Sequence, residues 1–211
     1  MPVEITWIGH ASFRLGGQGG VVYIDPWKIP SGLAGDGNVV IVSHNHYDHC
    51  SGEDVAKVSM PGATVLAPPD TAAEIDTASP VAPGEKLSVG GITVEAVPAY
   101  NVGKKFHPRG NGWIGAVVTL DNTRIYYAGD TDLIDEMSAL EAIEVALLPV
   151  GGTYTMTAAE AAEACERIGC KVAIPYHWGD IVGSASDAEA FAQAVSCCVV
   201  NVLQPGQTVA L

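Results

Sequence analysis

Positive charge is scarce in this chain: ten Lys and Arg residues stand against 24 Asp and Glu, for a formal net charge of −14 over 211 residues. That balance argues against nucleic acid backbones and anionic membrane surfaces as partners, since both are held by basic patches. Charge of either sign is also limited, at 16% of residues, and the mean hydropathy is +0.23. A chain of this kind is compact rather than disordered. Long apolar runs are missing, so no transmembrane segment is expected. The start, Met1-Pro2-Val3-Glu4-Ile5, lacks a basic segment and enters a strand-like pattern at once, which speaks against a signal peptide and for a cytoplasmic protein. The five cysteines are an odd number without a disulfide-framework spacing, and Cys197-Cys198 suits neither a zinc pair nor a simple disulfide. Reduced thiols are expected, with Cys50 either near the histidine cluster's metal or a small buried residue. Repeats, low-complexity tracts and linkers are absent, and the length suits one domain over residues 1–211.

What the chain does have is histidine in one place. Half of its six histidines fall in Ser43-His44-Asn45-His46-Tyr47-Asp48-His49, directly after the apolar run Val39-Val40-Ile41-Val42. Such a run reads as a buried strand, so the ligand-type residues sit where it opens into a loop. In extended backbone His44 and His46 point to the same side and converge on one cation, while Asp48 and His49 suit a second. A histidine-rich surface loop is the competing reading, and chance is a poor account of half the histidines in six positions. Imidazole and carboxylate are the ligand set of zinc and its first-row neighbours.

Other strand ends carry similar residues. The strand Ile125-Tyr126-Tyr127-Ala128 ends in Gly129-Asp130, and Lys171–Pro175 delivers Tyr176-His177. Asp25 ends a third strand, either as a turn former or as an acceptor holding a ligand histidine. His10 lies in a turn that is either ordinary or part of the site. The loop over residues 27–38, rooted at Trp27 and Lys28, is either a cover for the site or an ordinary connection. Strands are expected over Val3–Ile8, Ser12–Leu15, Val21–Ile24 and Ala63–Ala67, with hairpins at 86–98 and 113–128. Helices are expected at Glu53–Val58, from an Asp70 cap, over Thr157–Ile168 ending at Gly169, and from a Ser186 cap with Glu189 three on. Three of the ten cations, Lys104, Lys105 and Arg109, cluster in the loop 102–112 beside His107, forming either an anion-binding patch or a solvated loop.

Taken in order, His44-x-His46-x-Asp48-His49, Gly129-Asp130-Thr131 and Pro175-Tyr176-His177 resemble the metallo-β-lactamase fold superfamily. Trp7-Ile8-Gly9-His10-Ala11-Ser12 and Ile24-Asp25-Pro26 resemble its branch of small metal-dependent hydrolases related to ascorbate-6-phosphate lactonase and the phospholipase-D-type members. The resemblance implies an α/β (α+β) fold, an αββα four-layer sandwich with two divalent metal ions at one edge, zinc foremost, manganese or iron otherwise. His44 and His46 would hold the first metal, and Asp48, His49 and His177 the second, with Asp130 bridging. The family's usual third histidine for the first metal is missing, since its place reads Pro98-Ala99-Tyr100-Asn101. His107 is the obvious substitute, with Asn101 and His10 as alternatives. The expected activity is hydrolysis of a small phosphodiester, phosphorylated lactone or related ester by a metal-bridged hydroxide, Asp130 fixing the metals and Asp48 orienting the nucleophile. The substrate is then a small molecule, anionic if the Lys104, Lys105 and Arg109 patch receives it, and self-association stays open. The alternative is a metal-binding, non-catalytic sensor or interaction protein on the same fold.

Overall fold

A computed structural model describes residues 2–33 and 35–211; Met1 and Ala34 lie outside the described residues. Fourteen strands form two seven-stranded sheets. The first contains β1 (Glu4–Gly9), β2 (Ser12–Gly17), β3 (Gly20–Ile24), β4 (Gly37–Ile41), β5 (Ser59–Ala67) and β6 (Ala78–Pro80). The second contains β7 (Lys86–Val89), β8 (Ile92–Pro98), β9 (Ile114–Leu120), β10 (Thr123–Tyr127), β11 (Val145–Pro149), β12 (Val172–Tyr176) and β13 (Val199–Val200). The last strand, β14 (Thr208–Ala210), returns to the first sheet and pairs with β1.

Both sheets are mixed in the same way. Antiparallel hairpins come first, and the strands from β3 onward, and from β10 onward, run parallel. Parallel strands end at one edge, so chain segments leaving β3 and β4 emerge side by side, and those leaving β10 and β12 emerge at one edge on either side of β11. β1 runs in the same sense as β3, which brings its end to that edge as well.

Alternation along β4 shows why helices cover the outside. Val39 and Ile41 enter the large core between the sheets, while Val40 and Val42 face the other way and pack with Val55 and Val58 of α1 (Gly52–Val58). Each fully buried valine is worth about 1.5–3 kcal/mol relative to exposure. The facing sheets meet through aromatic rings: Phe13 lies 5.5 Å from Tyr176, which stacks on Tyr127 at 5.1 Å. α3 (Ala158–Ile168) buries Ala161, Ala164 and Cys165 in the same core. The expected αββα sandwich is the fold observed.

Local signals explain the helix ends, with two corrections. Thr157 and Glu160 form a reciprocal capping box on α3, and Gly169 stops it at φ 67°. In α4 (Ala185–Ala194) the cap is Ser184, whose N–H donates to Asp187 at 2.7 Å, not Ser186 with Glu189. Both pairs have the same spacing, and the glycine at 183, at φ 69°, lets the chain turn earlier. Asp70 does not cap α2 (Pro69–Ala72) either: Pro68 precedes the helix, and Asp70 Oδ2 accepts from Trp113 Nε1 at 2.8 Å.

Candidate metal centre

Asp25 anchors the site. It follows β3 at φ 44°, is fully buried, and accepts four hydrogen bonds. They come from Ser43 N–H at 2.7 Å, Ser43 Oγ at 2.6 Å, His49 Nδ1 at 2.7 Å and Tyr127 OH at 2.5 Å. Tyr127 belongs to β10, so this carboxylate ties one sheet to the other. With its hydroxyl proton given to Asp25, Ser43 Oγ accepts from His44 Nδ1 at 2.9 Å, which leaves His44 Nε2 with its lone pair. Asp25 is thus an acceptor that orients ligand-type histidines rather than only a turn former.

Two clusters of donors follow. His44, His46 and His107 place one nitrogen each within 4.8 Å of one another, as do His10, Asp48, His49 and His177 with one donor atom each. His44 Nε2 and His46 Nδ1 are 3.0 Å apart, and Trp113 packs against both rings at 4.9 Å. His107 is brought in from its loop by Asn101, whose Oδ1 accepts from both His107 N–H and His107 Nδ1 at 3.0 Å. Asn101 Nδ2 donates to the Tyr154 carbonyl at 2.8 Å, which fixes the amide's orientation with its oxygen committed to His107. Asn101 therefore supports a ligand-type residue. His10 Nε2 contacts Asp48 Oδ2 at 3.0 Å, and the His10 ring lies 4.2 Å from that of His177.

Asp130 lies between the clusters. Its Oδ2 is 3.2 Å from His107 Nε2 and 3.3 Å from His177 Nε2, and its Oδ1 is 3.4 Å from His49 Nε2. Yet Asp130 Oδ1 and all three of those nitrogens are buried without a hydrogen-bond partner. Orphaned buried groups of this kind cost about 1–3 kcal/mol each. A set of imidazole and carboxylate atoms aimed at one another without bonding fits divalent transition cations.

Backbone geometry serves the same edge. His10, Asp25 and His177 are three of the seven non-glycine residues with positive φ among the described residues. The His177 N–H donates to the His10 carbonyl at 3.1 Å, holding the two turns together. Gly129 turns the chain from β10 to Asp130 at φ 70°, where a Cβ would come within 2.7 Å of the Ile114 carbonyl.

Burial and charge act against each other across the cluster. Burial, reinforced by neighbouring imidazoles, holds His44 well below its ordinary value and His46 below it. For His49 burial opposes charge, but Asp130 and Asp25 outweigh it and lift the imidazole to about 9. Burial also pushes the Asp130 carboxyl upward, and His177 and His49 more than reverse this, leaving it well below the usual carboxylate range.

The centre opens into a cavity of about 290 Å³, with His46, Asp48, His107 and Asp130 at its floor. Its walls are Tyr47, Phe106, Tyr154 and Ile181, and three of these are exposed apolar side chains. The loop 102–112 reaches the cavity through Phe106 and His107, but Lys104, Lys105 and Arg109 do not line it, which favours the solvated-loop reading of these cations over an anion-binding patch. Lys104 Nζ is bound to Asp132 at 2.6 Å and to the Thr155 carbonyl at 2.7 Å. Arg109 pairs with Glu136 at 2.8 Å, and Lys105 is exposed. The first two cations neutralise carboxylates of their own fold instead of waiting for a ligand. The loop 27–38 is also only partly as expected. Trp27 lies 5.3 Å from the His10 ring and 6.1 Å from Tyr47, but the loop beyond it folds onto α1 through Gly35 N–H to Lys57 O.

Comparisons with known proteins agree with this geometry. The sequence profile of the Beta-lactamase superfamily domain matches residues 4–177. The chain is 35% identical over 217 residues to a UPF0173 metal-dependent hydrolase of Methanoregula boonei, covering 98% of this chain and 97% of the relative. It is 34% identical over 235 residues to one of Aeropyrum pernix, covering 97% and 96%. Among solved structures it is similar to Igni18, a metallo hydrolase of Ignicoccus hospitalis, with a TM-score of 0.82, 26% identity, and coverage of 100% of this chain and 99% of that one. Among the described residues, no helix is long and apolar enough to cross a membrane. The chain belongs to the metallo-β-lactamase superfamily and is a metal-dependent hydrolase.

Proposed function

We propose that the chain hydrolyses a small ester or lactone at a dinuclear centre. His44, His46 and His107 would hold the first cation and Asp48, His49 and His177 the second, with Asp130 shared between them. Zinc suits this donor set, and manganese or iron would also be accepted by it. The observation that carries the reading is Asp130, whose carboxylate lies within 3.4 Å of three imidazole nitrogens from three segments without bonding to any. Bound divalent cations supply Lewis acidity and lower the pKa of water towards neutrality.

The protein's own part is orientation. Burial keeps His10 neutral, although its contact with Asp48 opposes this, so His10 Nε2–H donates to Asp48 Oδ2. Asp48 Oδ1 then has no other protein hydrogen bond to make and accepts one from the attacking water. The aromatic walls Tyr47, Phe106 and Tyr154 suit an apolar acyl or alkoxy portion and limit bulk water around the bond to be cleaved. A phosphodiester is the second reading, favoured by the seven donor positions of a two-cation site, which would supply positive charge the protein side chains of the cavity lack.

The test is metal content and turnover measured together. Two cations per chain with ester or lactone hydrolysis are expected in the parent protein. Asp130→Ala should lose metal and nearly all turnover. Retention of both by that variant would overturn the assignment.

A further inference from the structure

Away from the histidine centre, four of the five cysteines come together. Cys165 lies in the last turn of α3, Cys170 just beyond its Gly169 stop, and Cys197-Cys198 immediately before β13. Cys165 and Cys170 are buried, Cys198 is half-buried and Cys197 exposed. One sulfur from each of Cys165, Cys170 and Cys198 lies within 4.8 Å of the others, and Cys170 Sγ is 3.8 Å from Cys198 Sγ. We propose that Cys165, Cys170 and Cys198 form a second cation site, for a thiophilic ion of the Zn²⁺ class.

Geometry and surroundings both support it. Tetrahedral zinc with Zn–S of about 2.3 Å has sulfurs about 3.8 Å apart, so the Cys170–Cys198 edge needs no rearrangement. A disulfide would need them at about 2.0 Å, and pairing Cys170 with Cys198 would leave the Cys165 thiol buried alone. The cluster also sits at the C-terminal end of α3, where the helix dipole is negative. Thiolates there are unfavourable by themselves, and a cation is favoured twice, by the sulfurs and by the last carbonyls. On binding, three thiols release three protons to solvent and three S–M bonds form, with no change of oxidation state. The fourth position faces the half-buried side, where water completes it. The odd count and wide spacing that argue against a framework in the sequence are thus compatible with a three-segment site. This site is independent of the proposed hydrolytic centre.

The experiment is titration of the full, reduced protein with Cd²⁺, read by the ultraviolet sulfur-to-cadmium charge-transfer band. Imidazole and carboxylate give no such band, so the histidine centre is silent. The expected result is a band saturating at three thiolates per chain, unchanged in Cys50→Ser and in His44→Ala/His46→Ala. Cys198→Ser, at a half-buried position where folding should survive, should lose at least a third of the amplitude and weaken binding at least tenfold. Absence of the band, or full amplitude in Cys198→Ser, would overturn the proposal. So would recovery of a Cys170–Cys198 disulfide, without bound metal, from protein purified without reductant. Loss of hydrolysis in His44→Ala/His46→Ala with an intact band would leave this site standing whatever becomes of the other.

Discussion

The side chain of Asn101 holds His107 by two hydrogen bonds to one oxygen, from the His107 backbone N–H and from its Nδ1, each at 3.0 Å. Its other end is committed to the Tyr154 carbonyl, so it cannot turn to offer that oxygen elsewhere. A residue that looks like a weak ligand in the sequence is instead what fixes the tautomer of His107.

Asn101→Ala should therefore leave the fold largely intact but free the His107 ring. Partners of this kind are typically worth about 10–100-fold in metal affinity. Competition with a chelator should show one of two cations weakened by that factor and the other unchanged.

Asp25→Ala should act on the whole molecule. It strands Ser43 N–H, His49 and Tyr127 OH in a fully buried place and unties the two sheets. A loss of about 3–5 kcal/mol is expected, the usual range for removing one partner of a buried charged network. Denaturant unfolding of chelator-treated protein measures it separately from any metal loss.

The raised value of His49 gives a pH dependence with a definite sign. Its folded value of about 9 lies above the ordinary 6.5. The stability it contributes to metal-free protein is fully present below pH 6.5 and is lost as pH rises through about 9. With His49 a ligand of the proposed centre, cation binding removes this proton, so proton release should be about one per chain greater at about pH 7.5 than at about pH 9.5. A pH-indicator dye during metal addition reads the difference, and equal release at both would contradict it.

Lys104 and Arg109 should separate structure from substrate. Lys104→Met leaves the buried Asp132 carboxylate without its cation, and a loss of about 1–3 kcal/mol is expected. Arg109→Ala, at an exposed pair, should change stability by less than about 1 kcal/mol. Neither should alter KM for ester substrates, whereas Tyr154→Ala should raise it several-fold with little change in kcat.

The sandwich was legible because β4 is a bounded apolar run and because residues after parallel strands share an edge. The grouping of His44, His46, His49, Asp130 and His177 followed from that alone. His107 was harder: its place depends on how the loop 102–112 returns, and Asn101 carries no mark in the sequence of being its holder. Tyr127 reads as one more strand residue, and only packing of the two sheets brings it to Asp25. The basic loop misled because charge density shows in a sequence, while Asp132 and Glu136, which neutralise Lys104 and Arg109, lie 28 and 27 positions away from them. The cysteines stayed hidden for the same reason, being spread over three segments.

His44, His46 and His49 come from one sheet, and Asp130 and His177 from the other, with Asp25 and Tyr127 bonded across the gap. A cation bound there is a rivet between two halves of the chain. Its loss would cost more than turnover, because native-state binding adds stability as RT ln(1 + [L]/Kd), about 4 kcal/mol at a thousandfold excess over Kd. The persistence of this protein against proteases should thus track the free concentration of its cation, so that scarcity of the ion shortens the life of the molecule as well as idling it.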